Sequence, residues 1–355
     1  VKSGSKVYLR QISEETGLSR MAVSLALRGK AGVSEANRKK ILKLAEKMGY
    51  QPDPEVAKLM SRLRQRQSTE TRACLALLTS GDRPDDWKKF TTERNYVVGA
   101  QNRAKEYGYH LERFWIQEKG MTATRLGQII WNRGIEGIII APLQGKLSET
   151  SNRSLQLDFS PFSVVEISET IQWPNLDRSN HDQFTSMQIT LQELFRLNYQ
   201  KPGLVLESSL DRRVNGRWTA AFLEARNRQG TQRLAPPLLL NQHDPSTFER
   251  WLKKNKPDAI ISVDRFGLKL LETLKLKFPK DIGYATLDVD GVSSDYPDIS
   301  GIDQNSHLVG AAAVDMVVSA IHRGQRGIPE HSMRTEIEGT WKSGSSTRRQ
   351  ASRAS

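Results

Sequence analysis

Between residues 19 and 28 the chain sets Ser19, Arg20, Met21, Ser24, Leu25 and Arg28 at offsets that fall on the outer side of one short helix. Side chains of these types can read DNA. Hydroxyls and guanidinium groups bond base edges and phosphates, while leucine and methionine offer apolar contact, for example to a thymine methyl. Val23, Ala26 and Leu27 form the opposite, inward side, and Ser19 is a good N-cap. Upstream, Leu9, Ile12 and Thr16 share a face of a first helix over about 9–16, and Gly17 can take the positive φ that ends it. Gly29 and Gly32 break the chain again. Ser34 then caps a third helix striped with Ile41, Leu44, Ala45 and Met48, which Gly49 closes. Helix, short glycine turn, helix with a polar and basic outer face is the helix-turn-helix pattern.

Charge follows the same division. The 355 residues hold 53 Lys+Arg against 40 Asp+Glu, a formal net charge of +13. Residues 1–72 hold 16 Lys/Arg against 7 Asp/Glu, whereas the other 283 residues hold 37 against 33. A basic excess confined to the first fifth of the chain is a local footprint for phosphates.

From Cys74 onward strands and helices alternate. The runs 74–80, 109–116, 137–143, 163–167, 203–207, 238–240, 259–263 and 284–288 read as buried parallel strands, with amphipathic helices between most of them. That alternation predicts a doubly wound α/β body with ligands at the carboxyl ends of its strands. The single Cys74 excludes an intrachain disulfide and fits a reducing compartment. No run of 18 apolar residues and no signal-type leader is visible, so a soluble, cytoplasmic chain without membrane contact is expected. The terminal SGSSTRRQASRAS reads as a disordered tail.

The chain resembles the LacI family of bacterial transcription regulators. Leu9, Ile12, Gly17, Leu18, Ser19, Val23, Ser24, Leu27, Gly29, Val33, Ser34, Arg38, Ile41, Ala45, Gly49, Tyr50, Pro52 and Leu59 stand at the family's spacing without a gap. In the body, RGIEGIIIAP, PDAIISVD and KDIGYATLD resemble family stretches, so the likeness spans about 7–341. It implies a helical head at 1–52, a hinge or linker with a hinge helix at 53–72, a two-lobed periplasmic-binding-protein-like body at 73–341 and a tail at 342–355. It also implies crossovers between lobes near 168–174, 297–302 and 330.

The resemblance further implies a homodimer on pseudo-palindromic operator DNA, acting as a repressor, with a small ligand held between the lobes. Its hinge pattern makes Leu59 the side chain that wedges into the minor groove, with Arg62 at a phosphate and Leu63 as the competing wedge. Leu25 stands where the family commonly has arginine. In the cleft, Val263-Asp264 and Asp288-Val289 replace the usual Asn-Asp and Asp-Asp pairs. Carboxylates, amides and arginines grip sugar hydroxyls, so the expected effector is a polyhydroxylated molecule. Matched positions make Arg217, Asp264 and Asp288 effector candidates, with Arg213 as the competing register. Asp182, Ser80 and Trp87 complete the set.

An enzyme with a DNA-binding head is the other class to weigh. The chain has neither a P-loop nor a GxGxxG phosphate cradle. Its six histidines have no metal-ligand spacing with acidic or cysteine partners. The expectation is a regulator with no catalytic residue, metal or cofactor. A DNA-binding protein indifferent to ligands is the third reading.

Overall fold

The computed structural model describes residues 9–27, 32–48, 50, 73–145, 155–229, 233–292 and 294–351. The chain divides into two compact units, residues 1–71 and 72–355.

In the first unit, helices α1 (Leu9–Thr16), α2 (Arg20–Leu27) and α3 (Glu35–Lys47) form a three-helix head. Gly17, at φ +69°, ends α1, and the Ser19 hydroxyl accepts from Ala22 N–H at 3.2 Å to start α2. Ser34 caps α3 by accepting from Asn37 N–H. Ile12, Val23, Ala26, Ile41 and Ala45 are the buried core, packed by Leu18, Leu27, Val33, Leu44, Met48 and Tyr50. Lys40 Nζ donates to the Thr16 carbonyl at 3.3 Å, tying α3 to the end of α1.

The second unit has two lobes. Its elements in chain order are β1 (Ala73–Thr79), α4 (Thr91–Glu106), β2 (Tyr109–Trp115), α5 (Ala123–Asn132), β3 (Gly137–Ile140), β4 (Ser163–Ile167), β5 (Asp177–His181) and α6 (Gln183–Arg196). There follow β6 (Pro202–Glu207), α7 (Ser208–Arg213), α8 (Arg217–Gln229), β7 (Leu238–Leu240), α9 (Pro245–Asn255), β8 (Ala259–Ser262), α10 (Phe266–Thr273), β9 (Gly283–Thr286), β10 (Gly301–Asp303), α11 (Ser306–His322), β11 (Arg334–Ile337) and β12 (Thr340–Lys342).

One lobe is built on the sheet β11-β5-β4-β3-β1-β2, the other on β12-β10-β9-β8-β6-β7. Neighbours pair in parallel except β10 with β12. Side-chain alternation sends Leu75 and Leu77 of β1 toward α4 and α11, and Ala76 and Leu78 toward α5. In the second lobe α6 and α8 cover one face of the sheet, and α9 and α10 the other. The expected fold class holds: a helical head, then an α/β body of two parallel-dominated sheets. Among the described residues no helix is long and apolar enough to cross a membrane.

The crossovers lie later than expected. The chain changes lobe between β5 and α6, between β10 and α11, and between β11 and β12. The first was misplaced because β5, DRSNH, has no apolar residue to mark it as a strand. It is buried through polar partners instead. Arg178 pairs with buried Glu166 at 2.9 Å, and the Ser179 hydroxyl donates to the Val309 carbonyl. Burial still pushes the Glu166 carboxyl up to about 7 against the Arg178 charge.

At the third crossover, the segment TEIEGTW divides into β11 and β12, one in each sheet. The expected tail also needs correction. Ser346 and Thr347 are buried, and Tyr284 N–H donates to the Ser346 carbonyl at 2.9 Å. Ser346 Oγ donates to the Tyr284 carbonyl while accepting from Ser300 N–H. Small hydroxyl side chains here serve as substitute strand partners, which composition alone reads as disorder. Residues 352–355 lie outside the described set, as do 53–72 with the expected hinge helix.

Helices α4 and α11 touch backbone to backbone. A Cβ on Gly99 would meet the His307 carbonyl oxygen at 1.8 Å, and one on Gly310 the Tyr96 carbonyl oxygen at 1.9 Å. Gly99→Ala or Gly310→Ala should therefore each destabilise the body by about 1–3 kcal/mol or more, read as a lower unfolding temperature. The double variant should lose less than the sum, because both methyl groups spread the same helix pair.

Candidate DNA-reading helix and effector cleft

In the head, buried Val23 and Ala26 fix the rotation of α2 and leave Met21 73% exposed in its first turn. Arg20 opens the helix, and the Arg20 side chain, Arg28, Leu59 and Arg62 lie outside the described residues. Ser19 spends its oxygen on the cap. Ser24 and Leu25 are half-buried, and Leu25 Cδ1 stands 3.4 Å from where a Gly32 Cβ would be. Leu25 thus folds against the turn before α3, and Met21 is the more exposed apolar side chain of the two.

In the body, the carboxyl ends of β6 and β8 open into a cleft of about 600 Å³. Lys89, Phe90 and Thr91 reach it from the first lobe; Glu207, Asp264, Phe266 and Lys269 line it from the second. Asp264 has φ +55°, a conformation that costs a non-glycine residue energy and recurs at binding sites. Burial pushes its carboxyl up, and the Glu207 charge adds to that. Phe90, 45% exposed just before α4, offers a ring face.

The expected effector residues separate by what already holds them. Asp264 lines the cleft. Asp182 is the N-cap of α6, accepting from Thr185 N–H at 2.9 Å and from the Thr185 hydroxyl at 2.6 Å. Ser80 is buried and accepts from Gln144 N–H at 2.7 Å, joining the loops after β1 and β3. Trp87 packs on the first lobe's core, with Lys88 Nζ 5.5 Å from its ring centroid.

Arg217, which opens α8, is tied across the lobes to Glu169 at 2.8 Å and to Glu336. Asn215 and Arg334 also donate to Glu169. The competing Arg213 is half-buried and has no ion pair or hydrogen bond among the described residues. Burial pushes the carboxyl of Glu93 on α4 up, and the Arg213 charge works against that. Neither arginine is among the residues that line the cleft. Asp288 is buried and accepts from Thr92 of the other lobe and from its own turn.

Sequence reasoning missed Phe90, Glu207, Glu93 and Glu169. Phe90 was within reach, three residues beyond the loop it singled out. The others needed the lobes assembled.

Residues 8–53 match the family described as bacterial regulatory proteins, lacI family. The head is a LacI-family DNA-binding domain. Among curated protein sequences none matches the chain. Among solved structures, the fold is similar to that of a transcriptional regulator CelR in complex with cellobiose (TM-score 0.53, 15% identity, covering 96% of this chain and 100% of that one). It is likewise similar to a lac repressor dimer bound to operator and the anti-inducer ONPF (TM-score 0.52, 16%, 97% and 100%). A third is a LacI family regulator CCPA from Weissella paramesenteroides with bound glucose (TM-score 0.53, 12%, 78% and 98%). These likenesses extend the LacI-type fold past the head and over the body.

The Asp182 geometry makes a direct prediction. Asp182→Ala should cost about 1 kcal/mol of stability by uncapping α6 and leave the affinity of the cleft for its ligand unchanged. Thermal unfolding and calorimetry on the same preparation check both halves.

Proposed function

We propose that the protein is a sequence-specific transcription regulator, acting as a homodimeric repressor whose operator affinity changes when a sugar enters the interlobe cleft. The observation that carries this reading is the pairing, in one chain, of a LacI-family head with a two-lobed body whose cleft is lined by half-buried Asp264, by Glu207 and by the ring of Phe90. Polar and charged groups on a partly dry wall favour a polyhydroxylated ligand, which supplies a partner for each of them. Two structural relatives carry cellobiose and glucose, which supports a sugar over other polar ligands.

On DNA, one recognition helix reads only a few base pairs, so two heads on a pseudo-palindrome supply the specificity. Arg20 and Met21 sit in the first turn of α2, nearest the base edges in this motif. Leu59 is the wedge of the proposed minor-groove kink, with Arg62 at a phosphate and the cost of unstacking offset by the contacts that bent DNA allows.

Fluorescence anisotropy on operator variants tests the readout. Arg20→Ala should lose about 1–3 kcal/mol on the specific site and relax preference at one base position per half-site. An equal loss on every sequence would make Arg20 a phosphate contact only. For the cleft, Asp264→Ala should abolish sugar binding in calorimetry while operator binding persists. Unchanged sugar affinity would overturn this assignment of the site.

A further inference from the structure

Helix α4 of the first lobe meets the 288–292 turn of the second through two hydrogen bonds, each ending on a carboxylate. Thr92 Oγ1 donates to Asp288 Oδ2 at 2.6 Å, and Asn95 Nδ2 donates to Asp290 Oδ2 at 2.6 Å. The other Asp288 oxygen, Oδ1, accepts from the backbone N–H groups of Asp290 at 3.0 Å and Gly291 at 3.3 Å. Glu93 lies between the two bonded residues on α4, so this face of the lobe gap collects three carboxylates. The groups around Asp288 can be taken element by element. From its own turn comes Asp290; from α4 come Glu93 and Tyr96; at the end of α7 Arg213 acts on Glu93 and Tyr96; after β8 Asp264 acts on Glu93. Among the described residues that act on Asp288 and Glu93, acids outnumber cations.

We propose that contact between the lobes is coupled to proton uptake at Asp288, which makes the proton a second input to the body besides any ligand. When the lobes meet, an ionised Asp288 is stripped of water and set against Asp290 and Glu93. Protonation removes that repulsion without breaking the latch. The Thr92 hydroxyl donates to a carboxylate and can equally accept from a carboxylic acid, because a hydroxyl rotor does both. The backbone donors keep Oδ1 in either state.

Burial, with the charges of Asp290 and Glu93, pushes the Asp288 carboxyl up to about 7. Burial pushes Glu93 up as well. With the lobes apart and Asp288 hydrated, its value returns to the ordinary ~4. The contacting arrangement therefore binds the proton more tightly. Falling pH favours contact between these two values, and contact weakens as pH rises through about 7. Thr91, beside Thr92, lines the cleft, so proton and ligand act on the same end of α4.

The test is a distance measurement on the full chain with neither DNA nor sugar present, so it stands apart from the proposed function. Dyes are placed on Lys119→Cys in one lobe and Lys254→Cys in the other, both exposed positions, in a Cys74→Ser background. Single-molecule energy transfer then reports the ratio of contacting to separated lobes. Between about pH 5.5 and about pH 8.5 this ratio should fall on the order of thirtyfold, mostly below pH 7. Asp288→Asn, which copies the protonated acid, should stay in contact throughout and lose the pH dependence. Glu93→Gln, which removes a facing charge, should move the midpoint to lower pH. A flat wild-type profile, a wild-type slope in Asp288→Asn, or an unmoved midpoint in Glu93→Gln would each overturn the proposal.

Discussion

The arrangement of the body turns on how few groups hold its lobes to one another. Three strands of chain cross between them, and they converge on one buried point. His181 shares a hydrogen bond with Ser186 Oγ at 2.8 Å, and its ring abuts the backbone of Gln304 and Ile337, one residue from each of the other two crossovers. Gly339 packs there so closely that a Cβ would meet Ile302 Cγ2 at 2.5 Å. Burial pushes the His181 imidazole down to about 4, so it is neutral and adds no charge at this pivot. Away from the pivot, the relative position of the lobes is set by polar contacts: Glu169 with Arg217, Asp288 with Thr92, and Asp290 with Asn95. A pivot that is tightly packed and a gap that is bridged by a few hydrogen bonds make a two-position device, because each of those bonds can be exchanged for water at modest net cost.

Much of this was legible in the sequence wherever apolar spacing carried it. The three helices of the head followed from Ile12, Val23, Ala26, Ile41 and Ala45, which are the buried core. The strands with continuous apolar runs, such as β1 and β3, were equally plain because both of their faces are buried. Elements held by polar groups were not. DRSNH is absent from the expected strands and SGSSTRR reads as tail, yet one is an interior strand and the other is hydrogen-bonded along β9 and the segment before β10. In both, the stabilising partners lie far away in sequence, such as Val309 for Ser179 and Ser300 for Ser346. No local pattern encodes them.

The candidate cleft divided in the same way. Asp264, an effector candidate by its matched position, lines the cleft. Arg217 and Asp182 were matched by sequence register, but their side chains are engaged by Glu169 and by Thr185. Matching along the chain brought one carboxylate, Asp264, to the cleft wall. That Arg217 is tied to Glu169 across the lobes is visible only once the lobes are assembled.

If a sugar in the cleft sets the operator affinity of the head, as proposed, one free energy links the two sites. Linkage then requires reciprocity: a sugar that changes operator affinity by some factor must have its own affinity changed by that same factor when operator is bound. Calorimetric titration of the sugar into free protein and into the operator complex, beside operator titrations with and without the sugar, measures both sides. Two equal factors, each about 5-fold or more, are expected. Operator affinity unmoved by every sugar that binds the cleft would contradict the proposed linkage.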